Sequence, residues 1–496
     1  MKLSAVFPVA AAVAASAQSD PKPKIHWGVN IAEHGVMSAG NGIAATEDLL
    51  FVTNKHCSLV VLDRDTGNVT SVYQFEDANF PGTALICESV PLIYQTSDVE
   101  YVVFSSQEGH VIAANFDGTP RWNATVGNGP VENVQVDRVA ENFMVAHNAE
   151  PNAHISFLSV ADGSVDADRT VTIENETITG LSRSSGSSPS RYFFSGRATA
   201  KLYQIAIGSD DSSAITESLA YLGEPNRNKT SPKFPPLVSR IGSFPMHFVP
   251  SVNDTAVHTF LADNNFYDYR KTDDLVGAPL LLAEDIASDS AKSKNMICWG
   301  WFDFNCYDRD TGCPVWGRGK ILNGVSGDPH LWVSRDMNSQ TILFDNSRRG
   351  TFRSLDPVTG NDTWVLRCGD YDEEGYSCGS NTYTEGRGAM AVSPQRDIVY
   401  FSPGPGWIFA ADVFLPPPTE MPTGAPTASA PSASMPTASI PTAAAPTAAS
   451  PTAAPSSSPS AEPTPPSAAR RILLWHSSTA AMPLSALLLM LTGVVW

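Results

Sequence analysis

Short apolar runs separated by Gly, Asn and Asp recur along most of the chain. They come in pairs, each reading as two strands joined by a turn. The first pair is 49–53 with 59–62, followed by 101–104 with 111–116 and 142–146 with 154–160. Next come 191–195 with 201–207, 257–262 with 266–270 and 296–301 with 304–307. The last two are 341–344 with 351–355 and 398–402 with 407–412. A second turn follows several of these pairs. Leu62-Asp63-Arg64-Asp65-Thr66-Gly67 is echoed by Tyr307-Asp308-Arg309-Asp310-Thr311-Gly312 and by Leu355-Asp356-Pro357-Val358-Thr359-Gly360, with a shortened form at Phe116-Asp117-Gly118. In such turns Asp caps through its side chain, Thr supports it, and Gly takes the left-handed backbone.

Strand pairs repeating every ~40 to 60 residues are the pattern of a β-propeller. A lone blade exposes both faces, so blades stack in a ring that covers each with its neighbour. Eight units predict an all-β, eight-bladed propeller, or seven blades if the weak fourth and fifth units merge. Trp122, Trp316 and Trp364 each stand four residues past a turn glycine, where a large flat ring suits the wedge between blades.

Strand, Leu-Asp-x-x-Thr-Gly and a following Trp resemble the repeat of pyrroloquinoline-quinone (PQQ)-type propellers. The match is closest at 355–364 and 307–316, weaker at 114–122, and partial at 62–73, where the Trp is missing. The resemblance implies an eight-bladed ring with tryptophan docking between blades. Quinone-dependent dehydrogenases of that family carry adjacent cysteines beside the cofactor, and some carry a haem-binding Cys-x-x-Cys-His. Neither motif occurs in this sequence. No quinone site or catalytic residue is therefore expected, and the head reads as a non-catalytic module.

The two ends differ in character from the repeats. Met1-Lys2, an apolar run and Ala15-Ser16-Ala17 make residues 1–17 a secretory signal peptide. Residues 18–415 form the propeller. Residues 416–469 repeat Pro, Thr, Ser and Ala and cannot bury enough apolar surface to fold, so they are expected to be a disordered stalk. Ser467-Ala468-Ala469, a spacer and the apolar tail 482–496 have the layout of a GPI-type anchor signal within 470–496. A single transmembrane helix over 472–496 is the alternative, although its flanking Arg470 and Arg471 would then lie outside the cell.

The expected address is the outer face of the plasma membrane or the cell wall. Six Asn-x-Ser/Thr sites agree with it: Asn68, Asn123, Asn175, Asn228, Asn253 and Asn361. A formal net charge of −19 disfavours nucleic acid as a partner. The expected partner is an extracellular protein or glycan met by a monomeric head. The alternatives are an extracellular oxidoreductase-like enzyme with quinone or metal in its channel, and a structural wall glycoprotein.

Seven cysteines in an oxidising compartment leave at least one unpaired. The expected pairs are Cys368–Cys378, Cys306–Cys313 and Cys57–Cys87, leaving Cys298. Alternating oxygens at Asp370, Asp372 and Glu374 resemble half of a calcium loop, so calcium is the candidate metal there. Asp63/Asp65 and Asp308/Asp310 are better explained as turn caps. His247, His258 and Asp328-Pro329-His330 are possible acid/base groups, with no recognisable catalytic motif beside them. Ala283-Glu284-Asp285-Ile286-Ala287 within 280–295 predicts a short helix inserted between blades. With the 368–378 loop it marks a candidate functional surface.

Overall fold

The computed structural model contains eight four-stranded antiparallel sheets. It describes residues 22–35, 37, 42–76, 85–137, 141–183, 190–199, 201–207, 214–221, 235–241, 244–251, 256–261, 266–271, 281–286, 294–300, 304–311, 313–318, 329–334, 339–346, 351–367, 370, 390–393, 395–404 and 406–415. The chain divides into two units, Met1–Met421 and Pro422–Trp496, and every described residue belongs to the first.

Blades 1 to 7 span 43–74, 92–125, 131–173, 182–221, 237–271, 281–318 and 330–366, each a four-strand meander. Blade 8 takes three strands from 390–412 and its outermost strand, Ile25–Asn30, from the start of the head. Ile25 pairs with Ala411 and Asn30 with Trp407, so the two ends of the head share one sheet and close the ring. Innermost strands meet between blades 8 and 1, 1 and 2, 4 and 5, 5 and 6, and 6 and 7. The architecture is the eight-bladed propeller that the repeat predicts.

The core is a series of layers between blades. Along Ser58–Asp63, successive side chains alternate between seams. Leu59 and Val61 pack with Val102, Ile112 and Ala114 of blade 2. Val60 and Leu62 pack with Tyr400, Ile408 and Ala410 of blade 8. The same alternation joins blade 2 to 3, 3 to 4, 6 to 7 and 7 to 8. The two middle strands of a blade are therefore apolar on both sides, and each fully buried aliphatic chain contributes about 1.5–3 kcal/mol.

This topology makes two distinct faces. Turns between first and second strands and between third and fourth strands lie on one, called lower. Hairpins between second and third strands and the connections from blade to blade lie on the other, called upper. The segment Leu281–Ile286 is a strand, the innermost of blade 6, and not the expected inserted helix. Its pairing with Lys294–Gly300 overrides the local helical preference of Ala-Glu-Asp.

Candidate functional site

On the lower face the Asp-x-x-Thr-Gly turns are self-contained. Asp63 Oδ1 accepts from the Asp65 and Thr66 amides at 3.1 and 2.8 Å and from the Thr66 hydroxyl at 2.7 Å. Asp308 repeats all three bonds with Asp310 and Thr311, and Asp356 accepts from the Val358 and Thr359 amides. The Thr66 hydroxyl, then its amide, holds the Asp63 carboxyl below the usual carboxylate range. Thr119 does the same for Asp117. In each of these turns Oδ1 is committed to the turn's own amides or hydroxyl, which makes these carboxylates turn caps.

The docking tryptophans meet the turn of the following blade. Trp316 lies against Gly360, and its Nε1 donates to the Pro357 carbonyl at 2.9 Å. Trp364 donates to the Val413 carbonyl at 2.8 Å. Trp122 packs over Gly163, but the carbonyl it would reach, Val160, accepts the Tyr101 hydroxyl instead. The buried Trp122 Nε1 is left without a partner.

Two docking residues were missed from sequence. Trp27 packs over Gly67 and donates to the Arg64 carbonyl at 3.0 Å. No turn precedes Trp27, because blade 8's outer turn is cut by the two ends of the head. The available signal was Ala411-Asp412, which matches Leu62-Asp63. In blade 1 the Trp position is Ser71, whose hydroxyl donates to the Asp117 carbonyl at 2.7 Å. At the blade 8–1 seam, buried Arg64 reaches the Thr46 carbonyl, Ser393 Oγ and Gln395 Oε1, while Arg396 pairs with Asp65.

The upper face is pinned by covalent and polar ties. Cys57, in the blade 1 hairpin, is bonded to Cys87 in the connection to blade 2, as expected. The second bridge is Cys298–Cys306, which overturns the expected Cys306–Cys313 pair. Cys298 and Cys306 are direct partners on adjacent strands, 4.1 Å apart at Cα. On its other side Cys306 faces Trp316, and Cys313 is an exposed free thiol in the turn. Cys368 and Cys378 lie outside the described residues.

Between blades 3 and 4, Arg197 holds Glu132 in a bidentate pair at 2.8 Å, and Asn148 donates to the same carboxylate at 2.7 Å. Buried Glu176 accepts from the amides of Thr177, Ala198 and Thr199 and from the hydroxyls of Thr199 and Tyr203. Close by, the His147 and His154 rings stack at 5.1 Å. Burial, then the neighbouring His154, lowers the His147 pKa to about 4. These polar groups come from blade 3, blade 4 and the connection between them, and their spacing in the sequence carries no recognisable motif.

Asp370 of the suggested calcium loop is already engaged. Lys22 pairs with Oδ1 at 2.8 Å, and the Arg367 amide donates to Oδ2 at 2.7 Å. Asp372 and Glu374 lie outside the described residues. Among the described residues no three His, Cys, Asp or Glu side chains gather as a metal site. His247 and His258 fall on neighbouring strands of blade 5, opposite Phe260 and Val249, so they are not directly paired. His330 begins the innermost strand of blade 7 and is exposed, and Asp328 lies outside the described residues.

Of the Asn-x-Ser/Thr sites, Asn68, Asn123, Asn175 and Asn361 are all exposed. Asn228, Asn253 and the anchor residues Ser467, Ala468 and Ala469 lie outside the described residues. No helix among the described residues is long and apolar enough to cross a membrane.

No protein-family model matches the sequence. No curated protein matches it either. Solved structures do. Sqt1 of Saccharomyces cerevisiae aligns over 80% of this chain and 100% of its own, with TM-score 0.55 and 8% identity. Quinohemoprotein alcohol dehydrogenase from Comamonas testosteroni aligns over 79% of this chain and 77% of its own, with TM-score 0.53 and 10% identity. BamB from Moraxella catarrhalis covers 79% and 99%, with TM-score 0.49 and 12% identity. At such identities the likeness is one of fold: this chain is similar to the PQQ-type and other β-propellers.

Proposed function

We propose that this protein is a non-catalytic binding platform for an extracellular protein or glycan, carried outside the cell on its Pro/Thr/Ser/Ala-rich segment. One observation supports this reading above the others: the head begins and ends at the same place. The Asp412 amide donates to the Lys24 carbonyl at 3.0 Å, on the lower face of blade 8. Residues 24 and 412, where the head begins and where its last strand ends, therefore lie at the opposite end of blade 8 from the hairpins of the upper face. Hairpins there are held before any partner arrives, by Cys57–Cys87 and by the Glu132–Arg197 pair. Held loops lose little entropy on binding, which favours recognition by a rigid surface.

The test is cross-linking on intact cells that express the full chain. Lys55, exposed in the blade 1 upper hairpin, is expected to couple to partners, whereas Lys24, exposed on the lower face, is not. Coupling through Lys24 alone would reverse the assignment of faces. Native mass spectrometry with elemental analysis addresses the enzyme alternative. A bare glycoprotein mass is expected, and a retained quinone or stoichiometric calcium would displace the binding-platform reading.

A further inference from the structure

Six described positions in the ring are equivalent by their backbone hydrogen bonds, and three of them lie on the adjoining blades 7, 8 and 1. The Asp63 amide donates to the Asn68 carbonyl at 2.8 Å, and Asp356 to Asn361 at 2.9 Å. Asp412 donates to Lys24 in the same way across the gap between the two ends of the head. Asn68 belongs to blade 1, Lys24 to blade 8 and Asn361 to blade 7. The place where the chain enters and leaves the ring thus has a glycosylation acceptor on the blade to either side.

The local geometry suits a bulky modification. The amides of Asn68 and Asn361 donate to Thr66 and Thr359 Oγ1, both at 3.3 Å. Their carbonyls are used in closing the turn, so each main chain is fixed while the side chain is exposed. The acceptor threonines, Thr70 and Thr363, are exposed as well. At the same position blades 2, 3 and 6 carry Thr119, Ser164 and Cys313. Thr119 and Ser164 spend their hydroxyls on Asp117 and Asp162. Among the described turns between third and fourth strands, only those beside the ends of the head present an acceptor asparagine, and Asn175 stands on the upper face in the connection from blade 3 to blade 4.

We infer that N-linked glycans on Asn68 and Asn361 stand on both sides of the place where the head begins and ends, and so shield the lower face of blades 7, 8 and 1 from partners. In the transfer, the Asn amide nitrogen forms a bond to the anomeric carbon of a lipid-diphosphate-linked oligosaccharide. The carbon–oxygen bond to the diphosphate breaks, the amide proton goes to a base, and the lipid diphosphate leaves. Each glycan is a hydrated volume that a flat partner cannot displace. This inference rests on the proposed extracellular function.

The test is site-by-site occupancy on the full chain expressed in glycosylating secretory cells. Glycans are removed with an amidase in heavy-oxygen water and the peptides mapped. Heavy aspartate is expected at both Asn68 and Asn361. Unmodified Asn at either one, with Asn123 or Asn175 occupied, overturns the shielding while leaving the secretory reading intact. No occupancy at any site overturns both. A second measurement reads the shielding itself. In an N68Q/N361Q variant with an unchanged unfolding midpoint, a bulky amine-reactive polymer should modify Lys24 several-fold faster, and Lys55 at its former rate. Unchanged Lys24 labelling also overturns the inference.

Discussion

The Ser71 hydroxyl donates to the Asp117 carbonyl at 2.7 Å, a bond between adjacent blades that an indole N–H makes at three other seams. Docking in this ring therefore depends on a donor reaching the neighbouring turn, and tryptophan is one way to supply it. Ser71→Ala removes the bond without a large cavity. The expected loss is about 1 kcal/mol, read as a lower urea midpoint with an unchanged slope.

Gly360 has φ +72°, and a Cβ there would come within 2.5 Å of the Trp316 ring. Gly360→Ala should cost about 1–3 kcal/mol through backbone strain and overpacking. Placing it in a Trp316→Ala background separates the two contributions. The steric part should vanish there and the backbone part remain, as a double-mutant cycle on unfolding free energies would report.

His147 is buried, and its pKa in the folded protein falls to about 4. Unfolded, the imidazole titrates near 6.5. Because the folded value is the lower one, the neutral ring favours folding above about pH 6.5, and that contribution is lost as pH falls toward 4. The expected difference is about 3 kcal/mol between those limits. Stability measured across this range for the wild type and for His147→Gln should differ in slope, the variant being flatter. Parallel curves would contradict the assignment.

Among the described residues Cys313 is the exposed free thiol, while Cys57, Cys87, Cys298 and Cys306 are bridged. An alkylating reagent applied to the native, unreduced protein should modify Cys313 and leave those four untouched. Peptide mapping without reduction should recover 298 joined to 306. A 306–313 peptide would restore the pairing expected from sequence proximity.

The blade was legible because its middle strands are buried on both sides. Leu59, Val60, Val61 and Leu62 are all buried, and they stand out as an apolar run. The outer strand of the same blade, Val69–Gln74, is largely exposed and carries little apolar signal. Trp122, Trp316 and Trp364 were found because a bulky ring recurs at one spacing from a turn. Ser71 was missed because a serine at that spacing has no distinguishing feature. Local helical propensity misled at Ala283–Ile286, where pairing within the blade 6 sheet prevails.

What the sequence determined by itself is the repeating unit: paired apolar strands, aspartate-capped turns with left-handed glycines, and most of the docking aromatics. Each of these depends on residues a few positions apart, so local sterics and hydrogen bonding are enough to specify them. Three features were decided only by the tertiary structure. Strand register placed Cys298 opposite Cys306. Ring closure brought Ile25 beside Ala411 and Trp27 over Gly67. Blade stacking assembled Glu132, Asn148 and Arg197 from two blades. The bridge needs only the register of one hairpin within blade 6, whereas the other two join residues on different blades or at opposite ends of the head and exist only once those parts have met.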